Sequence, residues 1–188
     1  MTIHIRPYQP SDWEAVCDVH DRARPLEIIH FMPVDEIQAL VDVYEEDGFF
    51  DGQQFVAEQN GKVVGFVCVD AEELTWLYVD PNSHRQGIGR LLFEHVKPIM
   101  GDYAHVLAVN PDAIRFYEKM GYQQCAEFPG YIKEYPCTCT RLAMPGSPRA
   151  NIPPKPGEKS LRLAGYDESD WGTAVRGPDG VWRWQKSQ

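Results

Sequence analysis

Long apolar runs and a targeting signal are missing from this sequence of 188 residues. Its longest stretch without a polar residue spans residues 63–69, whereas a helix that crosses a bilayer needs roughly 18 apolar residues. The opening segment also lacks the basic stretch and apolar core of a secretory signal peptide. We therefore expect a cytoplasmic protein with no membrane contact.

Cysteine occurs only five times, an odd number, and mostly in apolar, strand-like segments. The cysteines are therefore expected to be reduced core thiols and not a disulfide framework. Cys137 and Cys139 would share one face of a strand, but no second pair and no nearby histidine completes a tetrahedral set of ligands. The sequence consequently predicts no bound metal.

Basic residues are few: the sequence has 18 lysines and arginines and 28 aspartates and glutamates, which give a net charge of −10. The excess is regional: residues 1–60 carry 13 acidic and 3 basic side chains, and residues 61–188 carry 15 of each. A surface of this sign repels a phosphate backbone, so nucleic acid is not an expected partner. It attracts a cationic small molecule or peptide, unless the acidic face serves solubility alone.

Apolar periodicity predicts a body built from both strands and helices. Helices are expected near 11–22, with Ser11 as the N-cap, and near 34–46, followed by a hairpin that turns at Asn60 and Gly61. Further strands are expected near 74–79, 103–109, 122–128 and 134–143, and further helices from residue 88 and near 112–120. Strands thus come first as an antiparallel meander and later alternate with helices. This order predicts an α/β (α+β) fold in which helices flank a mixed central β-sheet.

The composition changes near residue 145. Five prolines lie within residues 145–156, a content typical of an extended, semi-rigid linker. The sequence therefore predicts a domain over residues 1–146 and a C-terminal extension over residues 147–188.

Tryptophan is concentrated at the end of the chain. Trp171, Trp182 and Trp184 lie around a Gly-Pro-Asp-Gly turn signal at residues 177–180. Left in water, three such side chains would form an apolar patch larger than a soluble monomer usually exposes. We expect residues 161–184 to dock as a hairpin, either on the domain itself or on a second subunit of a homodimer.

The segment 73–90, ELTWLYVDPNSHRQGIGR, combines a strand, a turn, a pair of glycines and the start of an amphipathic helix. Glycine lets a ligand approach the backbone closely, and the free N–H groups of a first helical turn bind phosphate oxygens. A dinucleotide fingerprint would need glycine where Leu92 stands, and no Gly-Lys-Ser/Thr sequence is present for a nucleoside triphosphate loop. The segment therefore indicates a phosphate contact of another kind.

A second motif follows at residues 110–122, NPDAIRFYEKMGY, which place an asparagine before a helix and a tyrosine in its middle. With both motifs in this order, the chain resembles the GNAT family of acyl-CoA-dependent N-acetyltransferases from its first strand to about residue 143. The glycine segment is similar to the family's motif A, Gln/Arg-x-x-Gly-x-Gly/Ala, and the second motif is similar to its motif B. One departure is His84, which stands where the family usually has Gln or Arg.

The resemblance implies acetyl-CoA as the cosubstrate and assigns residues to it by position. The strand backbone of Leu77, Tyr78 and Val79 would contact the pantetheine arm. Main-chain N–H groups would wrap the pyrophosphate in the segment Arg85, Gln86, Gly87, Ile88, Gly89 and Arg90. Asn110 matches a cofactor-contacting asparagine. Tyr117 matches the family's tyrosine, which contacts the cofactor and commonly acts as the general acid, a role that suits a phenol because it stays protonated at neutral pH.

The attacking amine must lose a proton, because an alkyl amine with a pKa of about 10.4 is almost fully protonated at pH 7. Glu73 lies fourteen residues before Gly87, where family members with a glutamate base carry it, and period two places it on the strand face of Thr75. His105 lies five residues before Asn110, and histidine titrates near neutral pH. Ordered water is the third alternative, and the sequence leaves all three open.

We therefore expect an N-acetyltransferase that moves an acetyl group from acetyl-CoA to a primary amine by direct attack, with a small cationic or amino-acid-like acceptor favoured. The alternatives are a peptide amine, as in a protein N-terminus or a lysine, and a non-catalytic acyl-CoA-binding regulatory module. The intact Asn110 and Tyr117 argue against the module, because a pure binder needs no proton donor at sulfur. The walls of the acceptor pocket are expected to include Phe31, Phe49, Phe50 and Tyr131.

Overall fold

Residues 2–70, 73–133, 135–154 and 172–185 are described by a computed structural model of the chain. The chain divides into two units, Met1–Gly101 and Asp102–Gln188. Residue 146, the predicted end of the domain, lies inside the second unit. Among the helices of the described part, none is both long and apolar enough to cross a membrane.

The strands of the first unit pair in an antiparallel meander. They are, in order, β1 (Ile3–Pro7), β2 (Gln53–Gln59), β3 (Lys62–Val69) and β4 (Glu73–Val79). The turn between β2 and β3 lies at Asn60 and Gly61, whose φ angles are 53° and 74°. Two-residue hairpin turns of this kind need positive φ at both positions, which asparagine and glycine tolerate best. The hairpin predicted here is therefore confirmed.

Helices cover both faces of this meander. They are α1 (Trp13–Ile28), α2 (Leu40–Val43) and α3 (Ile88–Val96). Val19 of α1 shares a buried cluster with Phe66 of β3, whereas a Cβ built on the neighbouring Gly65 would lie 3.3 Å from the side chain of Leu92 in α3. Because successive residues of a strand face opposite sides, α1 and α3 pack on opposite faces of β3.

The first helix begins and ends later than predicted. Pro10–Asp12 form a 3-10 turn, and α1 then continues through Pro25 for a full turn beyond the expected end. The expected cap at Ser11 is wrong. Instead, the carboxylate of Asp12 accepts two hydrogen bonds from Arg6, of 2.7 and 2.9 Å. These bonds tie the start of the helix to β1, and they hold the pKa of the Asp12 carboxyl below its usual range.

The second predicted helix, residues 34–46, is broken into short pieces. Val34–Glu36 form a 3-10 turn, and the α-helical part is only α2. Between them Ala39 is extended, with a ψ angle of 153°. The carboxylate of Asp21 in α1 accepts the backbone N–H of the fully buried Leu40 at 2.9 Å. A tertiary contact, and not the local apolar pattern, therefore sets where α2 begins.

Strands dominate the described part of the second unit. Its elements are β5 (Tyr103–Leu107), α4 (Pro111–Lys119), β6 (Gln123–Ile132), β7 (Tyr135–Ala143), β8 (Thr173–Arg176) and β9 (Trp182–Gln185). The strands lie in the order β5-β7-β6-β9-β8. Their pairings are antiparallel except that between β6 and β9, which is parallel. The predicted α/β class, with a mixed and mostly antiparallel sheet and flanking helices, is confirmed.

The C-terminal hairpin, β8 and β9, belongs to the sheet of the second unit. β9 pairs with β6 so that Trp182 lies opposite Ala126. The side chains of Trp182 and Trp184 pack against a buried cluster that includes Cys139. Trp171, with the rest of residues 161–171, lies outside the described residues.

The start of the proline-rich stretch is not an extended linker. Pro148–Asn151 form a 3-10 turn, and the side chain of Ser147 accepts the backbone N–H of Arg149 at 3.0 Å. The guanidinium of Arg149 lies 4.8 Å from the ring centroid of Tyr103. Composition suggested an extended chain here, but a capped turn and a cation–π contact hold this stretch on the second unit.

Candidate active site

The glycine segment connects β4 to α3 in the first unit. Asp80 caps the 3-10 turn after β4 by accepting the backbone N–H of Asn82 at 2.9 Å. Arg85 and Gly87 then have φ angles of 62° and 80°, which turn the chain into α3. Gly87 is the N-cap residue, and its carbonyl accepts the N–H of Leu91 at 3.0 Å in the first turn of the helix.

The N-terminus of α3 is open to an anion. The first-turn amides, those of Ile88, Gly89 and Arg90, have no carbonyl one turn earlier in the helix to bond to. A Cβ built on Gly87 would meet no atom within 4 Å, so nothing in the described residues fills the space beside this backbone. Unpaired N–H groups and the positive end of the helix dipole together favour a phosphate here.

Three side chains of the glycine segment make contacts elsewhere in the fold. Nε2 of His84 lies 3.0 Å from the carbonyl oxygen of Val79, to which it donates, since a carbonyl can only accept. Gln86 accepts a hydrogen bond of 3.1 Å from Gln59. Ile88 is buried in the core. The residue that departs from the family pattern, His84, thus ties the segment to the end of β4.

A bulge interrupts β4 beside the candidate base. Val69 of β3 pairs with Leu74, but the preceding Cys68 pairs with Trp76, so that Thr75 is an additional residue. The hydroxyl of Thr75 donates to the carbonyl of Cys68 at 3.0 Å. Strict alternation therefore fails at this point, so period two alone does not place Glu73 and Leu77 on one face of the strand.

Glu73 itself is a buried carboxyl residue, 3% exposed, at the first position of β4. Its backbone N–H donates to the carboxylate of Asp70 at 2.7 Å, and its carbonyl accepts the N–H of Asp70 at 3.0 Å. These two bonds fix the position of Glu73 at the start of the strand.

The side chain of Tyr78 belongs to a charge cluster that sequence reasoning missed. Its hydroxyl donates to Oε2 of Glu27 at 2.6 Å and accepts a bond of 2.9 Å from Nη1 of Arg24. Burial raises the pKa of the Tyr78 phenol, so the hydroxyl keeps the proton that it donates. The ring of the buried His20 lies 5.3 Å away, and burial lowers the pKa of that imidazole. The i, i+3 spacing of Arg24 and Glu27 predicts their ion pair, but nothing local predicts its bonds to β4.

The second motif lies in the second unit, on α4. Asn110 is the N-cap, and its side-chain oxygen accepts the N–H of Ala113 at 3.0 Å. This oxygen is therefore used by the helix, which leaves the carboxamide NH₂ as the group for a cofactor contact. Tyr117 is only 5% exposed, and its ring lies 5.2 Å from that of Phe116 and 5.7 Å from that of Tyr122.

His105, the alternative base, lies in β5 of the second unit. It is opposite Arg141 in the pairing with β7. Its half-buried ring contacts the rings of Tyr103 and Phe128, with centroids 5.3 and 5.5 Å apart. These aromatic contacts hold the imidazole in one place in the sheet.

The four aromatic residues expected around an acceptor have different environments. Phe49 is 1% exposed and packs in the core of the first unit, so little of its ring is left to line a pocket. Phe50 is 48% exposed. Phe31 is half-buried in the first unit, and Tyr131 is half-buried in β6 of the second. The described residues contain no group of three or more potential ligand side chains that could hold a metal.

Residues 50–124, which include both motifs, match the family model described as an acetyltransferase (GNAT) domain. Over these residues the chain is similar to GNAT acetyltransferases. The matched residues include the N-terminus of α3 and the capped start of α4, which carry the two segments that resemble motifs A and B.

Two curated relatives show how far the sequence likeness of this chain extends. It is 38% identical to the peptidyl-lysine N-acetyltransferase YjaB of Salmonella typhimurium over 61 residues, which are 32% of this chain and 42% of YjaB. It is 34% identical to the ribosomal protein bS18 alanine N-acetyltransferase of Escherichia coli over 94 residues, which are 45% of this chain and 62% of that enzyme. The matches therefore span less than two thirds of either relative.

The structural likeness covers more of the chain. YncA of Salmonella typhimurium, solved with its cofactor acetyl-CoA, superposes with a TM-score of 0.56 over 77% of this chain and 95% of YncA. The two sequences are 18% identical, so this likeness concerns the fold.

Proposed function

We propose that this chain transfers the acetyl group of acetyl-CoA to a primary amine by direct attack of the amine on the thioester. The observation that carries the proposal is the start of α3, where a left-handed Gly87 with open space at its Cβ position precedes the first-turn N–H groups. A pyrophosphate suits such a backbone site, because it needs several N–H donors and close approach. YncA, which has the same fold, was solved with acetyl-CoA.

The proposed reaction needs one proton donor and one proton acceptor from the protein. The amine nitrogen attacks the thioester carbonyl carbon, so that a C–N bond forms and the C–S bond breaks. Tyr117 gives its phenolic proton to the departing thiolate, and a base takes the proton from the amine. We assign the base role to Glu73, whose buried carboxyl is on the strand assigned to pantetheine, with His105 or ordered water as the alternatives.

The acceptor favoured by the charge distribution is a small cationic or amino-acid-like amine. A protein amine is the second candidate, because YjaB is named for peptidyl-lysine and the Escherichia coli relative for an alanine of a ribosomal protein. The acidic residues 1–60 would attract either kind of acceptor. Phe31, Phe50 and Tyr131 remain the proposed pocket walls.

Calorimetry on a pair of variants in α3 tests the cofactor site. Gly89→Val should weaken acetyl-CoA binding by about tenfold or more, because a branched side chain blocks approach to the first-turn amides. Leu91→Val places the same side chain at an exposed position of the same helix and should leave the affinity unchanged. Equal affinities in the two folded variants would remove the glycine segment from the cofactor site.

Thiol release from acetyl-CoA, measured across a panel of small amines and peptides, tests the transfer itself. The proposal requires release that depends on the amine, together with an acetylated product detected by mass spectrometry. A protein that binds acetyl-CoA and acetylates no member of the panel would instead support the acyl-CoA-binding module.

A further inference from the structure

Arg24 and Glu27 of α1 and Tyr78 of β4 form a cluster, here called the Arg24 cluster, to which the proposed reaction assigns no side-chain role. Nη1 of Arg24 donates both to Oε2 of Glu27, at 2.7 Å, and to the hydroxyl of Tyr78, at 2.9 Å. Nε and Nη2 of Arg24 make no hydrogen bond to any described residue. One edge of the guanidinium is thus held by the fold, and the other edge is open.

The Arg24 cluster is largely but not fully buried. The side chains of Arg24 and Glu27 are 20% and 18% exposed. Neither Nε nor Nη2 is among the fully buried polar atoms that lack a partner in the described part of the chain. The guanidinium of Arg24 is therefore partly, and not fully, enclosed by the described residues.

The chemistry of the open edge specifies its ligand. Nε–H and one N–H of Nη2 point the same way from the planar guanidinium, at a spacing that matches the two oxygens of a carboxylate. Glu27 and Tyr78 hold the opposite corner of the group, so little side-chain freedom remains to be lost on binding. The buried Tyr78 hydroxyl keeps its proton and with it this arrangement.

The position of the cluster relates it to the acceptor. Tyr78 lies between Leu77 and Val79, on the strand whose backbone is assigned to the pantetheine arm. We propose that the open edge of Arg24 binds a carboxylate of the acceptor, so that the substrate is an amine that also carries a carboxylate, as an amino acid does. The inference rests on the proposed function and narrows its substrate class.

The surrounding charge favours an acceptor with both charges. Residues 25–61 contain nine aspartates and glutamates and no lysine or arginine. The negative potential of these acidic side chains repels a simple anion and attracts an ammonium group. A carboxylate therefore binds here most favourably when the same molecule also carries a positive charge. A zwitterionic amine meets both conditions, whereas a phosphate monoester with two negative charges does not.

The wild-type protein can be tested without any variant, by comparing standard α-amino acids with their carboxamides as acceptors. Removing the carboxylate lowers the pKa of the neighbouring amine, so kcat/KM is expressed per concentration of neutral amine. We expect the acids to be preferred by about tenfold or more, mainly through KM, because two charge-assisted hydrogen bonds are lost in the amide. Equal kcat/KM values for acids and amides would overturn the inference.

Two matched variants locate the preference. Arg24→Lys keeps the positive charge and removes the paired donors, so it should abolish the preference for acids. Arg22→Lys, on the same helix, changes an arginine that is already bonded to Asp80 at 2.7 Å, and it should keep the preference. A folded Arg24→Lys protein that retains the preference contradicts the inference. If circular dichroism shows that this variant is unfolded, the wild-type comparison alone decides.

A binding measurement separates this inference from the proposed function. N-acetylglycine and N-acetylglycinamide are titrated calorimetrically into CoA-saturated wild-type protein, with no turnover required. Tighter binding of the acid supports the carboxylate site even if no amine is acetylated, a result that would count against the transferase proposal only. Equal or undetectable binding of both compounds counts against the carboxylate site, whatever the enzyme assay shows.

Discussion

At the residue scale, the two motifs divide their roles between main chain and side chains. In the glycine segment the His84 side chain is bonded to the strand end and Ile88 is in the core, so at these two positions only the backbone is left for a phosphate. This explains why histidine can stand at a position where the family usually has Gln or Arg. On α4, by contrast, the proposed roles of Asn110 and Tyr117 depend on their functional groups.

Tyr117→Phe is the direct test of the proton donor. The variant removes one hydroxyl and keeps the ring, which lies near the rings of Phe116 and Tyr122, and circular dichroism checks that the variant is folded. If Tyr117 protonates the thiolate, kcat should fall by about 10²-fold or more with little change in acetyl-CoA affinity. Steady-state and single-turnover kinetics measure the effect.

Tyr122→Phe is the control for that measurement. Tyr122 is also buried, and burial raises the pKa of its phenol to about 12. It has no role in the proposed reaction, so its variant should keep nearly the wild-type kcat. A Tyr117→Phe protein as active as the control, in an assay limited by chemistry, would exclude Tyr117 as the acid.

The choice of base is decided by the pH dependence of kcat/KM in two variants. If Glu73 takes the proton of the amine, Glu73→Gln should remove the acidic limb of the profile and lower its plateau. If His105 is the base, His105→Gln should do so instead. Profiles that keep their shape in both variants would favour ordered water and contradict the role assigned to Glu73.

At the scale of elements, close packing under α3 positions the glycine segment. A Cβ on Gly65 of β3 would lie 2.9 Å from the carbonyl oxygen of Tyr78 and 3.3 Å from the side chains of Ile88 and Leu92. Contacts this short leave no room for a methyl group unless both α3 and the backbone of β4 shift. Gly65 therefore determines how near α3 can lie to β3 and β4.

Gly65→Ala should lower the free energy of unfolding by about 1–3 kcal/mol, the usual cost of forcing an extra carbon into a filled core. Acetyl-CoA should also bind more weakly, because α3 carries the first-turn amides. Gly61→Asn is the matched control, since that turn position has open space and asparagine tolerates its positive φ. If chemical denaturation gives the two variants the same free energy of unfolding, the fold accommodates the added methyl group without loss of stability.

At the scale of the whole molecule, the chain extends its sheet beyond β6 with its C-terminal hairpin, so that β8 is the last strand. β9 covers β6 in parallel, and Arg183 donates to the carboxylate of Glu127 on β6 at 3.0 Å. An uncovered strand edge beside apolar side chains is a common site of unwanted association. The hairpin therefore takes the place that a strand of a partner molecule could occupy beside β6. The predicted homodimer stays a prediction.

Truncation after residue 171 tests this arrangement. Loss of β8 and β9 uncovers the edge of β6 and the buried cluster under Trp182 and Trp184, so the melting temperature should fall and self-association should increase. Differential scanning calorimetry and analytical ultracentrifugation measure the two effects. A truncated protein with an unchanged melting temperature and sedimentation profile would show that the hairpin adds nothing to the sheet.

By itself the sequence determined the features that depend on neighbouring residues. The Asn60-Gly61 turn, the left-handed Gly87 before α3 and the Asn110 cap of α4 follow from φ preferences and from hydrogen bonds that span three or four positions. The same local features carry the family resemblance, which is why the fold class could be predicted from them.

Features that join distant segments depend on the tertiary structure and are not specified by any local sequence pattern. Asp21 sets the start of α2 across 19 positions, Glu27 binds Tyr78 across 51, and Glu127 binds Arg183 across 56. The bulge at Thr75 likewise depends on the register between two strands. The physical reason is common to all of them: the energy of such contacts depends on which segments meet in space, and no local pattern of residues contains that information.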